Sequence, residues 1–366
     1  METFNDIFID CTSLGTKIPK EEYLVNGKHI VVDQGQNAIA GYTDLDDGLF
    51  EDVPAIIFGD HTRVIKYVDE PFFLGADGVK LLKSKKQDAN YKYLYYALKN
   101  ARIPDTGYNR HFKWLKEVSI EYPNLNRQQE IVEVLDKITK IIEERKLELL
   151  QLDDLIKARF VEMFGNPFDA KTPVVWPIKT INDLAESISD GSNVDKALYK
   201  EQGDVLFLRI QNVWCNEFRL DDSVYISESE NEEYIDTSLK HGDLLITKIG
   251  RYYTADSSLG RVSVYLGDDD KANYSNNIMR VRFKEGINSE FANALMNLDD
   301  YNKFIRRTSV GGTDKRALSK GLIASYPVIV PSIEKQNEFV DFVHQVDKSK
   351  VVAEKNWNIH NICLVA

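Results

Sequence analysis

The sequence predicts an α+β protein made of two tandem mixed α/β bodies, each followed by a long helix. Three observations predict it: a heptad pattern sustained over about forty residues, a later block that echoes its start, and short apolar β-type runs ahead of each helix. With 366 residues and 43 % hydrophobic side chains the chain can bury two sizeable cores, which excludes a mainly disordered protein.

In the first body Ile30-Val31-Val32, Ala55-Ile56-Ile57-Phe58, Arg63-Val64-Ile65 and Val79-Lys80-Leu81-Leu82 read as strands. Apolar and β-branched residues fill most of these runs, and Gly, Asp and Asn clusters bound them. Tyr91 to Lys99 reads as a short helix.

From Asn126 to Phe164 apolar side chains recur at Ile131, Leu135, Ile138, Ile142, Leu149, Leu152, Ile156 and Met163, with Arg145 and Arg159 at two skipped positions of the seam. This is one helix that needs a partner helix. Asn126 is expected to cap its start with Gln129 reaching back, and Gly165-Asn166-Pro167 to stop it. At 1.5 Å per residue the rod is about 57 Å long, a length suited to a spacer.

The second body repeats the style with Val205-Leu206-Phe207-Leu208, Leu244-Leu245-Ile246, Val262-Ser263-Val264-Tyr265 and Met279-Arg280-Val281-Arg282-Phe283, then a short helix from Glu290 to Leu298. The repetition extends to sequence. Residues 123–135, which begin the long helix, return at 331–343 after a shift of 208 positions, and Phe4-Asn5-Asp6-Ile7 returns at Ile181-Asn182-Asp183-Leu184 after a shift of 177. The division is therefore 1–122 for the first body, 123–165 for the rod, 166–330 for the second body and 331–366 for a second helix. That last helix loses its periodicity after about Lys355 and is expected to be shortened.

The formal net charge of −12 excludes a simple polycation that coats nucleic acid, so any contact with DNA is local. Cys11, Cys215 and Cys363 lie far apart without metal-ligand spacing, which argues against a disulfide framework and a zinc module and for a reducing cytoplasm. Neither a leader pattern nor an apolar stretch of membrane-spanning length occurs.

Positive charge is nevertheless concentrated. Lys80 to Lys116 holds ten basic residues against Asp88 and Asp105, and Lys303 to Lys320 holds six against Asp314, the pattern expected of two separate phosphate contacts. Each stretch contains a glycine turn, Gly107-Tyr108-Asn109-Arg110-His111 and Gly311-Gly312-Thr313-Asp314-Lys315-Arg316. Backbone amides in such turns approach phosphates closely, while Arg and Asn side chains pair with guanine and adenine edges. The candidate DNA contacts are thus Lys83, Lys85, Tyr108, Asn109, Arg110 and His111 in the first stretch, and Arg306, Arg307, Thr313, Lys315 and Arg316 in the second. Gln36, Asn37, His61 and Arg63 join them at strand ends of the first body, and Arg209, Lys248, Arg251, Tyr252 and Asn276 at those of the second. Taken singly, each cluster is equally well a solvated loop or a turn that needs Asn, Asp and Gly for its backbone.

Catalytic patterns fail one by one. No Gly-x-Ser-x-Gly elbow, His-Glu-x-x-His pair, phosphate loop or Gly-x-Gly-x-x-Gly turn occurs. Glu144-Arg145-Lys146 has a nuclease-like spacing but sits on the heptad helix, and Asn166-Pro167-Phe168 lacks the second proline of an amino-methyltransferase turn while already serving to stop a helix.

The proline-led Leu125 to Asp136 block, its echo 208 positions on and the two basic, turn-rich bodies resemble a type I restriction-modification specificity subunit over nearly the whole chain. The resemblance implies two target-recognition domains, each reading half of a split site in double-stranded DNA, held apart by two antiparallel coiled-coil helices. It implies no catalytic activity and no cofactor on this chain: S-adenosylmethionine, ATP and Mg belong to partners, two modification (methyltransferase) subunits and the ATP-dependent restriction subunits. Two departures stand out, the absence from the first copy of the opening that Trp176-Pro177-Ile178 gives the second, and the shortened last helix. The competing reading is a non-catalytic coiled-coil adaptor that binds protein partners.

Overall fold

A threonine opens each body in the same way. The Asp6 carboxylate accepts hydrogen bonds from the backbone N–H and hydroxyl of Thr3, and Asp183 does the same for Thr180, with a nitrogen-to-oxygen distance of 3.0 Å in both. Each box closes one helical turn whose apolar residues, Phe4 and Ile7 or Ile181 and Leu184, are buried. The computed structural model describes residues 1–75, 77–107, 109–169, 171, 174–254 and 256–365, the side chains of 352–365 excepted. The chain forms two units, unit 1 from Met1 to Arg145 with the residues from Asn356, and unit 2 from Lys146 to Lys355.

Unit 1 contains β1 (Glu2–Thr3), α1 (Phe4–Ile7), β2 (Phe8–Asp10), β3 (His29–Val32), β4 (Gly41–Thr43), β5 (Ala55–Gly59), β6 (Ile65–Val68), β7 (Phe72–Leu74), β8 (Val79–Ser84), α2 (Tyr91–Lys99), α3 (Phe112–Leu115) and β9 (Ser119–Ile120), and then enters α4 (Leu125–Phe164). An antiparallel sheet of order β2-β8-β5-β6 faces a sheet of order β4-β3-β7, in which β3 and β7 run parallel, and β1 pairs with β9. Central strand β5 is apolar at every position but its glycine because both its faces are covered. Ile56 and Phe58 pack with Phe4, Leu94, Phe112 and Val132 on the helical side, while Ala55 and Ile57 pack with Val32, Phe72, Leu74 and Leu81 on the other.

Unit 2 repeats this plan with additions. Its strands are β10 (Ile178–Thr180), β11 (Ala185–Asp190), β12 (Val205–Leu208), β13 (Val213–Trp214), β14 (Glu217–Phe218), β15 (Val224–Ile226), β16 (Leu244–Thr247), β17 (Ile249–Arg251), β18 (Val262–Val264), β19 (Ala272–Tyr274), β20 (Ile278–Phe283), β21 (Val310–Gly311), β22 (Lys315–Ala317) and β23 (Pro327–Ile329). The helices are α5 (Ile181–Leu184), α6 (Glu228–Glu232), α7 (Ser289–Met296), α8 (Asp299–Thr308), α9 (Lys320–Ala324) and α10 (Ile333–Val365). The sheet β11-β20-β16-β18 matches β2-β8-β5-β6, β15-β12-β19 matches β4-β3-β7 with the same single parallel pair, and β10-β23 matches β1-β9. The hairpin β13-β14 and the sheet β17-β22-β21 have no equivalent among the sheets of unit 1.

The long helix runs as the heptad pattern requires, and Gly165 ends it with φ +78°, the left-handed conformation that glycine adopts without strain. Within unit 2, α4 and α10 pack antiparallel. Asp153 pairs with Lys350 at 2.7 Å, the Arg159 guanidinium lies 5.9 Å from the Phe342 ring, and the Phe160 and Phe339 rings meet edge-on at 5.2 Å. Phe291 of α7 completes this aromatic joint, 5.2 Å from Phe160 and 4.9 Å from Phe164. The backbone of α10 is helical to Val365, so the fading of its heptad spacing at Lys355 does not end the helix; it has 33 residues against 40 in α4.

The cap of α4 corrects the sequence reading. Asn124, not Asn126, receives the Arg127 N–H at 3.0 Å, and the Gln129 side-chain oxygen accepts from the Asn90 amide at 2.9 Å instead of reaching back. Gln128 is wholly buried. Its Nε2 donates to the Pro123 carbonyl at 2.8 Å and its Oε1 accepts the Asn90 N–H at 2.9 Å, while the Asn90 side chain caps α2. Unit 2 has the same clamp: buried Gln336 donates to the Pro331 carbonyl at 2.9 Å and accepts the Asn288 N–H at 2.9 Å, and Asn288 caps α7. Gln128→Ala is expected to leave a buried carbonyl and a buried N–H unpaired and to destabilise unit 1 by about 1–3 kcal/mol. Gln336→Ala should do the same to unit 2. Denaturant unfolding with a probe in each unit checks both; an unchanged midpoint would count against the clamp.

Candidate nucleic-acid interface

The chain leaves central strand β5 through Asp60, which is buried and anchors the segment that leads into α3. Its backbone carbonyl accepts the His111 N–H at 2.8 Å and its carboxylate accepts the Phe112 N–H at 2.7 Å, so the start of α3 is held at the end of β5. The His111 ring is fully enclosed. Its Nδ1 lies 3.1 Å from the same carbonyl, which can only accept, so Nδ1 donates, and its Nε2 meets the Thr106 hydroxyl at 3.3 Å. His111 therefore supports the turn from inside and offers nothing outward, contrary to its place among the candidate contacts.

Arg63 holds the other flank. It sits at φ +60° in the turn before β6, not in a strand as its neighbours suggested, and pairs with Asp105 at 2.6 Å. That pair and the Gly107 N–H hold the Asp105 carboxyl below the usual carboxylate range, the backbone hydrogen bond being the larger cause. Between these anchors Asn109 and Arg110 are exposed, Asn109 donating its side-chain amide to the Thr106 carbonyl; Tyr108 lies outside the described residues. Arg110, Lys113 and Lys116, which stand before, on and just after α3, are exposed, and among the described residues none of them forms an ion pair. Nearby, the His61 N–H donates to the Gln34 side chain at 3.2 Å, and Gln36 and Asn37 are exposed beside Lys66, which donates to the Asn37 carbonyl at 2.6 Å.

Two other candidates of the first stretch are engaged within the unit. The Lys83 ammonium is saturated by the Asp52 carboxylate at 2.8 Å, the Asp52 carbonyl at 2.7 Å and the Pro54 carbonyl at 3.0 Å, so no N–H is left for a phosphate. Lys85, although exposed, donates to the Asn5 carbonyl.

In unit 2 the equivalent strand is β16, and it also ends in cations. Lys248 is mostly buried and neutralised by Asp190. Its N–H donates to the Asn277 carbonyl at 2.9 Å and its carbonyl accepts the Leu318 N–H at 2.8 Å, which brings the Asn276 turn and the segment after β22 together. Asn276 is exposed, whereas Asn273 in the same amide-rich run is buried and bonded to Asn231 at 2.9 Å. Arg209 is tied to Asp222 through both its carbonyl and its carboxylate.

The sheet β17-β22-β21 then assembles the remaining candidates. Arg251 and Lys315 are cross-strand partners, both exposed, with Asp314 at 3.7 Å from Arg251. The Arg316 guanidinium lies 3.9 Å from the Tyr252 ring centre, Thr313 is exposed in the hairpin turn, and Arg307 is exposed on α8 while Arg306 donates to the Thr254 carbonyl at 3.1 Å. Lys113 and Lys116, and the exposed apolar residues Ile249, Tyr253 and Val310, are surface features that the search for Arg and Asn in turns passed over. The two lysines were legible as members of the basic stretch, although Glu117 directly follows Lys116; the exposure of the others follows from tertiary structure alone.

Residues 4–152 and 173–360 match the family model of the type I restriction modification DNA specificity domain. An alignment 135 positions long, covering 33 % of this chain, is 27 % identical to 31 % of the MjaIX type I restriction enzyme specificity subunit of Methanocaldococcus jannaschii. Another, 148 positions long and covering 35 % of this chain, is 30 % identical to 37 % of the EcoR124I/EcoR124II specificity subunit of Escherichia coli. These matches span about a third of each curated relative. The fold is similar to that of the S subunit of the type I restriction-modification system of M. genitalium, with a TM-score of 0.56, 16 % identity and coverage of 99 % of this chain and 93 % of that one. Among the described residues no helix is long and apolar enough to cross a membrane. With two separate segments matched over most of its length, the chain belongs to the type I restriction-modification DNA specificity family.

Proposed function

We propose that this chain is the non-catalytic DNA-reading subunit of a cytoplasmic type I restriction-modification assembly, and that each unit reads one half of a bipartite site in double-stranded DNA. In this reading two modification (methyltransferase) subunits and the restriction subunits dock on it, and it determines where they act. S-adenosylmethionine, ATP and Mg belong to those partners. One observation carries the reading: in both copies of the scaffold the same central strand, β5 or β16, ends where exposed cations gather, Arg110, Lys113 and Lys116 in one and Arg251 and Lys315 in the other.

If these cations meet phosphates, each neutral variant releases about one counterion fewer. Arg110→Gln and Lys315→Gln should each lower the slope of log affinity against log salt by about 1, measured by anisotropy on a duplex that the protein binds. Lys83→Met and Lys248→Met should leave the slope unchanged and lower thermal stability instead, because both lysines are mostly buried and already held by acids of their own unit. Unchanged slopes for both Arg110→Gln and Lys315→Gln would remove these residues from the interface.

The helix α4 carries residues of both units without a break, which supports a role in setting the unread gap between half-sites. Seven residues inserted after Glu144 keep the heptad phase and add about 10 Å of helix. The gap should lengthen by about three base pairs, read from the methylome of cells carrying the variant. An unaltered gap in an active variant would sink this role for α4.

A further inference from the structure

The solvent face of the sheet β17-β22-β21 carries an unusual combination. In its register Ile249 lies opposite Ala317 and Ala317 opposite Val310, while Arg251 lies opposite Lys315. Partners in register share a face, as do residues two apart along a strand, so an apolar row of three stands beside a cationic row of two. Exposure agrees with this assignment: Val310 is 68 % exposed, Ile249 38 %, and Ala317, Arg251 and Lys315 are open to solvent. The inner face is mounted on the unit. Gly250 is buried so closely that a Cβ there would stand 2.3 Å from the Leu259 nitrogen, and Arg316 stacks on Tyr252.

We propose that this face enters the major groove and that the row Ile249, Ala317 and Val310 reads thymine C5-methyl groups in the half-site of unit 2, with Arg251 and Lys315 on adjoining guanine edges or phosphates. The inference rests on the DNA-reading role argued above and deepens it by naming a base feature. With strands about 4.8 Å apart the outer strand axes alone span about 10 Å, which excludes a minor groove of about 6 Å, whereas the major groove, about 12 Å wide, admits β-ribbons. Side chains without a donor or acceptor cannot read a hydrogen-bonding edge. The thymine methyl is the apolar feature of the major groove, and it alone distinguishes thymine from uracil there. The flanking cations match a polyanion and disfavour an apolar protein surface as occupant.

The test uses the full chain, purified with any subunits bound to it, and a randomised duplex library. Sequences enriched from the library are resynthesised with single thymine-to-uracil changes at every position. At one or more positions of one half-site, uracil should weaken binding about fourfold, the effect of one buried methyl. Val310→Ser with Ile249→Ser should abolish that discrimination while the other half-site is still selected, which shows that the variant folds and binds. Specific binding that ignores uracil everywhere in this half-site overturns the proposal and leaves the DNA-reading role intact. Discrimination that survives in the double variant also overturns it, since the methyl is then read elsewhere. No enrichment from the library overturns both the role and the proposal.

Discussion

A single buried amide in each unit joins the long helix to the body it follows. A proline precedes each helix, and the carbonyls of Pro123 and Pro331 would be orphans at the entry were they not met by Gln128 and Gln336. The other end of the same side chain receives the first N–H of the neighbouring short helix's cap residue, Asn90 or Asn288. Leucine at either position would fill the space and leave both backbone groups dry and unpaired, a cost comparable to a large part of a domain's stability. In unit 2 the amide also bonds the Gly286 carbonyl at 3.0 Å, so one side chain holds the segment before α7 at two backbone groups. The glutamine in the repeated helix-start block therefore has a structural reason to recur after 208 positions.

Once the short helix is fixed on the long one, the central sheet has a defined surface to cover. Leu94 and Leu98 of α2 lie over Ile56, Phe58 and Leu82, and Phe291 and Leu295 of α7 lie over Leu244, Ile246 and Val281. The strand that is buried on both sides ends at the rim of the apolar core, where the backbone polar groups must be met locally. Asp60 meets them in unit 1, and in unit 2 Thr247 does so, accepting the Arg261 N–H at 2.9 Å. Beyond these two anchors the copies diverge completely, a loop with one helical turn in the first and a three-stranded sheet in the second. A common scaffold with unlike tips is the arrangement that lets two copies of one fold address two different half-sites in the proposed reading.

The scaffold was legible because it depends on local pattern. Heptad spacing located α4 to within one residue, and β3, β5, β8, β12, β16 and the α2 helix fall where apolar runs and turn residues put them. The site was legible only as two regions. Whether Lys83 faces solvent depends on Asp52 and Pro54, some thirty residues earlier in the chain, and nothing in its lysine-rich neighbourhood announces them. His111 and Asn109 stand two apart in one glycine turn, yet one is enclosed under β5 and the other exposed. Asn124 and Asn126 are equally good caps by residue type, and the choice falls to the one whose following turn lets Gln128 reach Pro123.

The same pairing changes the meaning of the charge pattern. Of the ten basic residues between Lys80 and Lys116, Lys80, Lys83, Lys86 and Lys92 form ion pairs with Asp10, Asp52, Glu2 and Asp136, acids drawn from outside that stretch. Part of the nominal excess there holds the unit together, and the outward positive surface is left to the other six, Lys85, Lys99, Arg102, Arg110, Lys113 and Lys116, all exposed. Against a net charge of −12, such local charge attracts a phosphate backbone only when it is presented at short range, since beyond about 8 Å in physiological salt the field is screened and the overall sign repels. Weak long-range attraction with strong local contact favours selection over coating. A molecule whose proposed task is to choose among many similar sites gains more from that balance than from a uniformly basic surface, which would hold every sequence nearly as well as the right one.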